Sequence, residues 1–521
     1  MHSWSSSSTR PSRPAATVAG WGVSRHEPAR LPSLPYELTP GPAMTALLDI
    51  PADETMQMTL RQQRKSFLDD GPPTLGERKE RLKRLRSAVL DYRLEVENAI
   101  SLDFGNRSRY ETGVMELMGI IQSIDYLMRH LRRFMKRERR HVGLSYRPGY
   151  AYVEYQPKGV IGIMAPWNYP FSLTMIPLAT ALAAGNRAMI KPSELTPRTS
   201  ELIKRMLASR FLTDEVAVIL GGPEVGAQFS RLAFDHLIFT GSTEVGRKVM
   251  KAASENLVPI TLELGGKSPA IVAPGHCHTR TIQSLVFGKL SNAGQTCVAP
   301  DYVMVHEADI EKFVSTYKDV VAACYPEEAA GAQYTSIINE RHFSRLGALL
   351  KDAQDRGASV IQASTHLESA TERTLAPTVV VGVDDSMAIM QEEIFGPILP
   401  IRTYRTMAEA VDYVNARPRP LALYYFGPDN ADCRTLLSRT TSGNVGINNT
   451  LMHVAQDDLP FGGIGPSGIG AYHGIEGFRS LSHGKGVYVQ RRWSLPRLLH
   501  APFGRFADLA LAMHLGRVRR K

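Results

Sequence analysis

Two short segments of the chain carry residue types that can do covalent chemistry on a carbonyl group. The first, ELGGKSP at residues 263–269, begins with the carboxylate Glu263, and the second, NAGQTC at residues 292–297, ends with the thiol Cys297. Glycines in both segments let the backbone approach a ligand closely. A thiolate can attack a carbonyl carbon, and a carboxylate can later activate the water that releases the product. The pair therefore predicts a nucleophile, Cys297, and a general base, Glu263.

Such an attack puts negative charge on the former carbonyl oxygen, and this charge needs fixed hydrogen-bond donors. The predicted donors are the side-chain amide of Asn168, within PWNYP at residues 166–170, and the backbone N–H of Cys297. An Asn beside prolines can also be a plain turn former. Because the predicted nucleophile Cys297 would generate an oxyanion, oxyanion binding is the preferred interpretation of Asn168.

The other cysteines and the histidines give no sign of a second chemical site. Cys277, Cys324 and Cys433 lack the context of Cys297, so they are predicted to be buried hydrophobic residues. The absence of CxxC pairs and of disulfide-like density is typical of a reducing compartment, which predicts a cytoplasmic protein. The fifteen histidines show no HExxH motif or ligand-like clustering, so no metal is predicted.

The sequence pattern around these residues predicts the elements that must position them: a parallel, doubly wound α/β sheet with helices on both faces. Short apolar strands are predicted at residues 159–164, 188–190, 216–220, 237–239 and 260–262. Helical segments alternate with these strands, among them an Ala-rich helix at 171–184 that Gly185 closes. Ligands of such sheets bind at the carboxyl ends of the strands, where Asn168 and Glu263 fall.

Two helical stretches are predicted before the sheet. A capping box with Thr74 as N-cap begins a helix that carries Leu82, Leu85 and Val89 on one face. The second stretch covers residues 110–135. No internal sequence repeat is evident.

A dinucleotide site is predicted at the strand–glycine–helix junction that follows the fourth of these strands. The GxGxxG fingerprint is missing; Gly241, Ser242 and Gly246 instead lead into a helix whose free N–H groups and dipole suit a phosphate. Lys191 and Glu194 follow another strand end and can bond ribose hydroxyls, although alone they would be interpreted as a solvated pair at a helix start. A Glu at that point repels a 2′-phosphate, which favours NAD over NADP.

The segments at 263–269 and 292–297, in this order and spacing, resemble the two signatures of the aldehyde dehydrogenase superfamily. The resemblance covers roughly residues 56–490. It implies oxidation of an aldehyde to an acid through a thiohemiacetal and a thioester on Cys297. It also implies an α/β fold with an atypical Rossmann cofactor domain, an α/β catalytic domain and a small oligomerisation element. The cofactor contacts that it implies are Trp167, Lys191, Glu194, Gly241, Ser242, Gly246, Glu393, which resembles the glutamate holding the nicotinamide ribose, and Phe395, which resembles the aromatic residue beside the nicotinamide.

Within the family, the resemblance is closest to the branch of fatty and aromatic aldehyde enzymes. Stretches at residues 416–425, 449–458 and 460–465 look like bacterial coniferyl aldehyde dehydrogenases. The resemblance therefore implies oxidation of coniferyl aldehyde to ferulate, with medium- or long-chain fatty aldehydes as the alternative. Pocket loops discriminate one methylene by only about 1–3 kcal/mol, so the sequence defines the reaction better than the substrate.

The predicted domain organisation follows from the same resemblance and from composition. The divisions are an N-terminal extension at 1–55, an NAD-binding domain at 56–265, a catalytic domain at 266–460, a return and oligomerisation segment at 461–490, and a basic tail at 491–521. Members of this branch are typically homodimers, and a strand like residues 487–489 commonly reaches the partner subunit. The Ser-, Pro- and Arg-rich extension is interpreted as disordered, or as the product of an upstream start before Met44, in preference to a transit peptide.

The formal net charge of +10 does not predict nucleic-acid binding, because its distribution is uneven. Residues 491–521 contribute +7 and residues 1–43 contribute +2, which leaves about +1 for the 447 residues between them. The apolar stretch at 503–515, flanked by these basic residues, raises the hypothesis of a helix on an anionic membrane surface. The alternatives are a helix that caps the substrate entrance, one that covers the partner subunit, or a solvated basic end.

Two other classes of function compete with a hydrolytic dehydrogenase. A CoA-acylating dehydrogenase would share the cysteine and the cofactor but usually lacks the water-activating glutamate, which is present here as Glu263. A non-catalytic protein on the same fold would be expected to have lost the thiol, and Cys297 and Asn168 are both retained. The prediction is therefore an enzyme with a small-molecule aldehyde substrate.

Overall fold

Three β-sheets organise the part of the chain that the computed structural model describes, which is residues 52–327, 330–492, 497 and 499–516. In chain order the strands are β1 (Glu138–Arg140), β2 (Tyr150–Pro157), β3 (Val160–Met164), β4 (Arg187–Lys191), β5 (Val216–Val218), β6 (His236–Thr240), β7 (Ile260–Glu263), β8 (Pro269–Val272), β9 (Tyr302–His306), β10 (Ser359–Gln362), β11 (Thr378–Val381), β12 (Ile398–Tyr404), β13 (Ala422–Phe426), β14 (Asn444–Ile447), β15 (Gly468–Ile469) and β16 (Ser482–Val489).

The helices cover the faces and ends of these sheets. In chain order they are α1 (Ala52–Asp70), α2 (Leu75–Asp91), α3 (Arg93–Phe104), α4 (Arg109–Thr112), α5 (Gly119–Phe134), α6 (Ser172–Ala184), α7 (Pro197–Ala208), α8 (Pro223–Ser230), α9 (Thr243–Ser254), α10 (Thr279–Leu290), α11 (Ile310–Cys324), α12 (Ala330–Gln333), α13 (Glu340–Asp355), α14 (Ala388–Gln391), α15 (Met407–Asn415), α16 (Ala431–Arg439), α17 (Gly474–Ser480) and α18 (Arg505–Leu515). Short 3₁₀ segments lie at Leu144–Tyr146, Ser291–Gly294 and Glu307–Asp309.

The first large sheet confirms the predicted doubly wound architecture. It has six strands in the order β15-β7-β6-β3-β4-β5, and every pair is parallel except β15 with β7. Helices connect the parallel strands, so both faces are covered and the strands are largely buried; all five residues of β3 are apolar or glycine and buried. The five predicted strands are β3 to β7, although β5 ends at Val218 rather than at residue 220.

A second large sheet takes its strands from the following part of the chain. Its order is β10-β11-β12-β9-β8-β13-β14, parallel except for β10 with β11. A third, antiparallel sheet pairs β1, β2 and β16 in that order, so residues 138–157 are joined to residues 482–489. β15 crosses back to the first sheet, which is why the return segment cannot be assigned to one sheet.

The structure confirms two predicted helix ends. Thr74 and Glu77 form both hydrogen bonds of a capping box at the start of α2, and Leu82, Leu85 and Val89 are buried. Gly185 ends α6 in the left-handed region at φ 93°, as a C-cap glycine does.

The helical stretch predicted at 110–135 is present but is not one regular α-helix. Residues Gly113–Met118 form a π-helical segment between α4 and α5. The hydrophobic periodicity of a sequence does not distinguish this local widening from an α-helix. The segment carries the buried carboxylate Glu116.

Two expectations need correction. Cys277 and Cys433 are buried as predicted, but Cys324 is exposed, because it is the last residue of α11 and does not face the core. Helix α1 begins at Ala52, so residues 52–55 belong to the folded part and not to the extension. The remainder of the predicted extension lies outside the described residues.

The apolar stretch near the C-terminus forms α18, in which Phe506, Leu509, Leu511, Met513 and Leu515 are exposed. Contact of this helix with a membrane surface stays a prediction. Among the helices that the structure describes, none combines the length and the apolar character needed to cross a bilayer.

Candidate active site

The predicted chemical residues converge on one cleft at the carboxyl ends of the first large sheet. Glu263 is the last residue of β7, and Asn168 follows β3. The lining residues are Pro166, Trp167, Asn168, Leu173, Thr240, Gly241, Ser242, Glu263, Leu264, Gly265, Cys297, His342, Arg345, Glu393 and Phe395. The structure thus brings the three candidate catalytic residues together with five of the eight candidate cofactor residues. Lys191, Glu194 and Gly246 do not line this cleft.

The nucleophile follows a left-handed backbone turn. Asn292, Ala293 and Gly294 have φ values of 55°, 50° and 75°. For a residue with a Cβ this region costs roughly 1–2 kcal/mol, so surrounding contacts must hold the turn. A Cβ added to Gly294 would lie 2.3 Å from the carbonyl oxygen of Gly396, so only glycine lets these two backbone segments touch. The turn therefore fixes Cys297 against the segment that follows Phe395.

Hydrogen bonds join residues 292–296, the turn before Cys297 that we call the nucleophile turn, to the segment of Asn168. The carbonyl of Gln295 accepts from Asn168 Nδ2 and from Asn292 Nδ2, both at 3.1 Å, and Asn292 Nδ2 also donates to Asn168 O at 2.9 Å. Tyr169 Oη and Thr296 Oγ1 are 2.8 Å apart. Asn168 and Cys297 are therefore parts of one rigid assembly, and among the described contacts the Asn168 amide has one hydrogen bond.

Burial and neighbouring carboxylates set the ionisation of the site. Burial, followed by the negative charges of Glu393 and Glu263, raises the pKa of the Cys297 thiol to about 12. Burial raises the pKa of Glu263 well above its usual range, and raises that of Glu393 to about 8. Burial and the neighbouring carboxylates thus favour the neutral forms of the Cys297 thiol and of the Glu263 carboxyl group.

Glu263 is desolvated and has no strong partner. Its side chain is buried, and within the described chain neither carboxylate oxygen has a hydrogen-bond partner. A Cβ added to Gly462 would approach Glu263 Oε1 to 3.2 Å, so the segment PFGG at residues 460–463 packs against the carboxylate. A buried carboxyl group without partners has an elevated pKa and is a stronger base once ionised, which suits it to activating water near neutral pH.

An aromatic cluster lies on the other side of the nucleophile. The Phe461 ring centroid is 5.1 Å from that of His473 and 6.3 Å from that of His453. Burial lowers the pKa of each of these histidines to about 4, so both are neutral. Tyr424, whose ring is 5.7 Å from His453, donates its hydroxyl proton to Val298 O at 2.6 Å, directly beyond the nucleophile.

The junction at the end of β6 fits a dinucleotide. Ser242, which lines the cleft, caps α9 by accepting from Val245 N. A helix N-terminus offers N–H groups and the positive end of its dipole to a phosphate. A Cβ at Gly246 would lie 2.7 Å from Leu264, so this glycine lets α9 pack tightly on the sheet. Lys191 is buried and donates to Glu194 Oε2 at 3.0 Å, whereas the Glu194 side chain is 38% exposed.

Three side chains missed by the sequence reasoning hold the loop of Glu393. Lys267 bonds the side chain of Asp301 and donates to the carbonyls of Ile389 and Glu392, each at 2.8 Å. Asp301 Oδ1 accepts from Ile394 N at 2.9 Å. Arg345, on α13, donates to the carbonyl of Glu393 at 3.2 Å. Lys267 stands in the ELGGKSP segment and could have been singled out there.

His342 and Arg345 carry no comparable signal. Both lie on α13, far along the chain from either motif, and the Trp167 ring reaches the site between His342 at 5.1 Å and Phe395 at 5.5 Å. Only the tertiary fold brings α13 to the cleft. Among the described residues, no group of three or more His, Cys, Asp or Glu is arranged to hold a metal ion.

Comparison with known proteins identifies the family. Residues 59–487 match the aldehyde dehydrogenase family. The chain is 48% identical over 450 residues to the probable coniferyl aldehyde dehydrogenase of Pseudomonas aeruginosa, covering 86% of this chain and 94% of that protein. It is 46% identical over 455 residues to the coniferyl aldehyde dehydrogenase of a Pseudomonas species, covering 87% and 94%.

A solved structure gives the same result at the level of the fold. The substrate-bound state of Staphylococcus aureus AldH superposes with a TM-score of 0.80 at 37% identity, covering 84% of this chain and 95% of that one. The chain therefore belongs to the aldehyde dehydrogenase family: it is an enzyme that oxidises aldehydes with a nicotinamide cofactor.

The turn before the nucleophile gives a test of its role. We expect Gly294→Ala to lower kcat by about 10²-fold, because the left-handed φ and the clash with Gly396 O would displace Cys297. Steady-state kinetics and thermal unfolding of the purified variant measure this. The matched control is Gly347→Ala in the middle of α13, where a Cβ meets nothing within 4 Å and activity should be unchanged. Equal kinetics for both variants would contradict the role assigned to the turn.

Proposed function

We propose that this enzyme oxidises coniferyl aldehyde to ferulate with NAD. The observation that carries the proposal is the similarity to proteins named for this substrate, at 46–48% identity over 94% of their length. The aromatic cluster of Tyr424, Phe461 and the two neutral histidines beside the nucleophile supports an aromatic substrate. No observation on the described residues favours fatty aldehydes over it.

In the proposed mechanism Cys297 is the nucleophile. Its thiol gives up a proton, with Glu263 as the nearby acceptor, and the sulfur adds to the aldehyde carbon to form a thiohemiacetal. The Asn168 amide and the Cys297 N–H donate to the oxyanion, and the loss of one such donor commonly costs roughly 10²–10³ in rate. A nicotinamide cofactor bound in the cleft supplies the acceptor for the hydride that this adduct gives up.

Hydrolysis of the resulting thioester is assigned to Glu263. The carboxylate takes a proton from a water molecule, the water oxygen attacks the thioester carbon, and the thiol leaves with the acid as product. Among the described residues neither carboxylate oxygen of Glu263 has a hydrogen-bond partner, which supports this role because both oxygens can accept from a water.

Loops at the ends of both large sheets are assigned to the cofactor. The proposed cofactor domain is residues 56–265 and the proposed catalytic domain is 266–460. The first large sheet takes all its strands but β15 from 56–265, and the second takes all of its strands from 266–460, which supports this division. Trp167, Phe395, Glu393 and the N-terminus of α9 would hold the nicotinamide half and the phosphates. The Lys191–Glu194 pair would hold the adenosine ribose and disfavour a 2′-phosphate, hence NAD.

We also propose a homodimer. β16 is an edge strand of its sheet and β14 is an edge strand of the second large sheet. Val445 and Ile447 on β14 and Tyr488 on β16 are exposed. Exposed strand edges with apolar side chains favour pairing with another chain, which supports an assembly through the segment at 461–490.

The substrate assignment is tested with a panel of aldehydes. We expect kcat/KM for coniferaldehyde to exceed that for hexanal and decanal by tenfold or more, because the rings beside the nucleophile complement a planar aromatic aldehyde. NADH formation with benzaldehyde, hexanal and decanal in parallel measures this. A series that rises toward decanal would reject coniferaldehyde in favour of fatty aldehydes, while identification of free acid, not acyl-CoA, as the product checks the hydrolytic step.

The role of Glu263 is tested by replacing its carboxyl group with an amide. Glu263→Gln should give a burst of up to one NADH per active site, slower than in the wild type because Glu263 also accepts the thiol proton. Steady-state turnover should then fall by about 10²–10⁴-fold, because the thioester still forms but no base activates water. In the wild type, hydrolysis should rise with pH, with a midpoint above the ~4.3 of an ordinary Glu, since the base must be ionised and its pKa is raised. Cys297→Ser is the control, which should lose the burst as well. Unchanged steady-state turnover in Glu263→Gln would reject this role.

Cofactor preference is tested at Glu194. Glu194→Gln should raise kcat/KM for NADP relative to NAD by tenfold or more, since the repulsion of a 2′-phosphate by the carboxylate is removed. Initial rates with both cofactors measure the ratio. Glu224→Gln, on the neighbouring helix α8, serves as the control and should leave the ratio unchanged. A ratio that Glu194→Gln does not alter would contradict the assignment.

A further inference from the structure

A buried ion pair lies behind the site and has no role in the mechanism above. Glu116 and Arg107 have fully buried side chains, and Arg107 Nη1 donates to Glu116 Oε1 at 2.8 Å. Desolvating two charges is expensive, and a buried pair often contributes little net stability compared with apolar residues. A pair in such a position therefore calls for a reason other than stability.

The carboxylate holds the start of the helix that follows Asn168. Glu116 Oε2 accepts from the backbone N–H groups of Phe171 and Ser172, at 2.9 and 2.8 Å. These are N–H groups at the N-terminus of α6, where no capping side chain is present at Phe171. A carboxylate at this point satisfies donors that the helix leaves free and also interacts favourably with the helix dipole.

The guanidinium holds the other end of the same segment. Arg107 Nη1 donates to Asn168 O at 3.3 Å, and its Cζ lies 4.8 Å from the centroid of the Tyr169 ring and 5.3 Å from that of Phe104. Asn168 O also accepts from Asn292 Nδ2 at 2.9 Å. The backbone of Asn168 is thus fixed by two donors, one from the ion pair and one from the nucleophile turn.

The π-helical segment is what brings the carboxylate to this place. Gly113–Met118 interrupts the α-helical spacing between α4 and α5, and Glu116 is one of its two buried residues. A π-helical turn inside an α-helix is rare and often occurs at functional sites. Here it supplies a carboxylate that contacts the N-terminus of α6.

We propose that the Arg107–Glu116 pair is a positioning device that aims the Asn168 amide at the oxyanion. This inference rests on the proposed function of Asn168. The pair acts on both ends of the segment 168–172 without touching the substrate. Misplacing a catalytic group by about 1 Å can cost about 10²-fold in rate, so the pair influences the reaction through Asn168 alone.

The test is a double-mutant cycle between Glu116 and Asn168. Glu116→Gln keeps the shape of the side chain but removes the charge, and its amide nitrogen cannot accept a hydrogen bond. It should lower kcat by about 10²-fold in the wild-type background and by less than threefold in the Asn168→Ala background, because the group that it positions is already gone. The loss in thermal unfolding midpoint should be the same in both backgrounds. Single-turnover rates are measured with whichever aldehyde of the panel reacts fastest, so that the result does not depend on coniferaldehyde.

Two further variants keep the test decisive. Glu97→Gln, which removes a buried partner of Arg93 at 2.9 Å on α3, should lower stability without changing kcat. Arg107→Lys retains the cation but alters its reach to Asn168 O, and it should reproduce the loss of kcat if Glu116→Gln fails to fold.

The outcomes separate the two hypotheses. An equal loss of kcat from Glu116→Gln in both backgrounds would show that the pair acts independently of Asn168 and would overturn the positioning role alone. Wild-type rates in Glu116→Gln and Arg107→Lys would overturn it as well. A kcat for Asn168→Ala within threefold of wild type would overturn the oxyanion role of Asn168 itself, and with it the positioning role.

Discussion

The geometry of the site depends on the left-handed turn that precedes Cys297. Three consecutive residues with positive φ are unfavourable in isolation, so the turn exists only because neighbours hold it. Gly294 touches the backbone of Gly396, and the side chain of Asn292 bonds the carbonyls of Asn168 and Gln295. Each of these contacts joins a different part of the chain to the nucleophile. The strained turn is thus the point at which the cofactor side and the substrate side meet.

Electrostatics impose a second constraint on the same cleft. Three acidic groups, Cys297, Glu263 and Glu393, are buried near one another. Burial is the main cause that raises the pKa of each of them. The thiol cannot ionise readily while two carboxylates are close and charged. Elevated pKa values on those carboxyl groups relieve this conflict, because a neutral carboxyl group does not oppose thiolate formation. The positive charges of Lys267 and Arg345, near the Glu393 loop, act in the opposite direction on Glu393, because they lower its pKa.

Features of the fold that depend on local sequence were predicted, whereas features that depend on packing were not. Strands β3 to β7 were predicted because parallel strands covered on both faces are continuous apolar runs bounded by turn residues. Thr74 was predicted because a capping box is local. The exposed Cys324 was mispredicted because burial at a helix end depends on packing and not on residue type. The π-helical segment at 113–118 was not predicted, because six residues are too few for hydrophobic periodicity to distinguish it from an α-helix.

The sequence by itself determined the reaction class, because a glycine-flanked thiol and carboxylate at a fixed spacing are local features of Cys297 and Glu263. It also determined the sheet that carries Glu263, since hydrophobic periodicity is evident over a few residues. Only the tertiary structure decided which distant side chains complete the site. Arg107, Asp301 and Arg345 act through hydrogen bonds to backbone atoms far away in the chain, and such contacts leave no local pattern in the sequence.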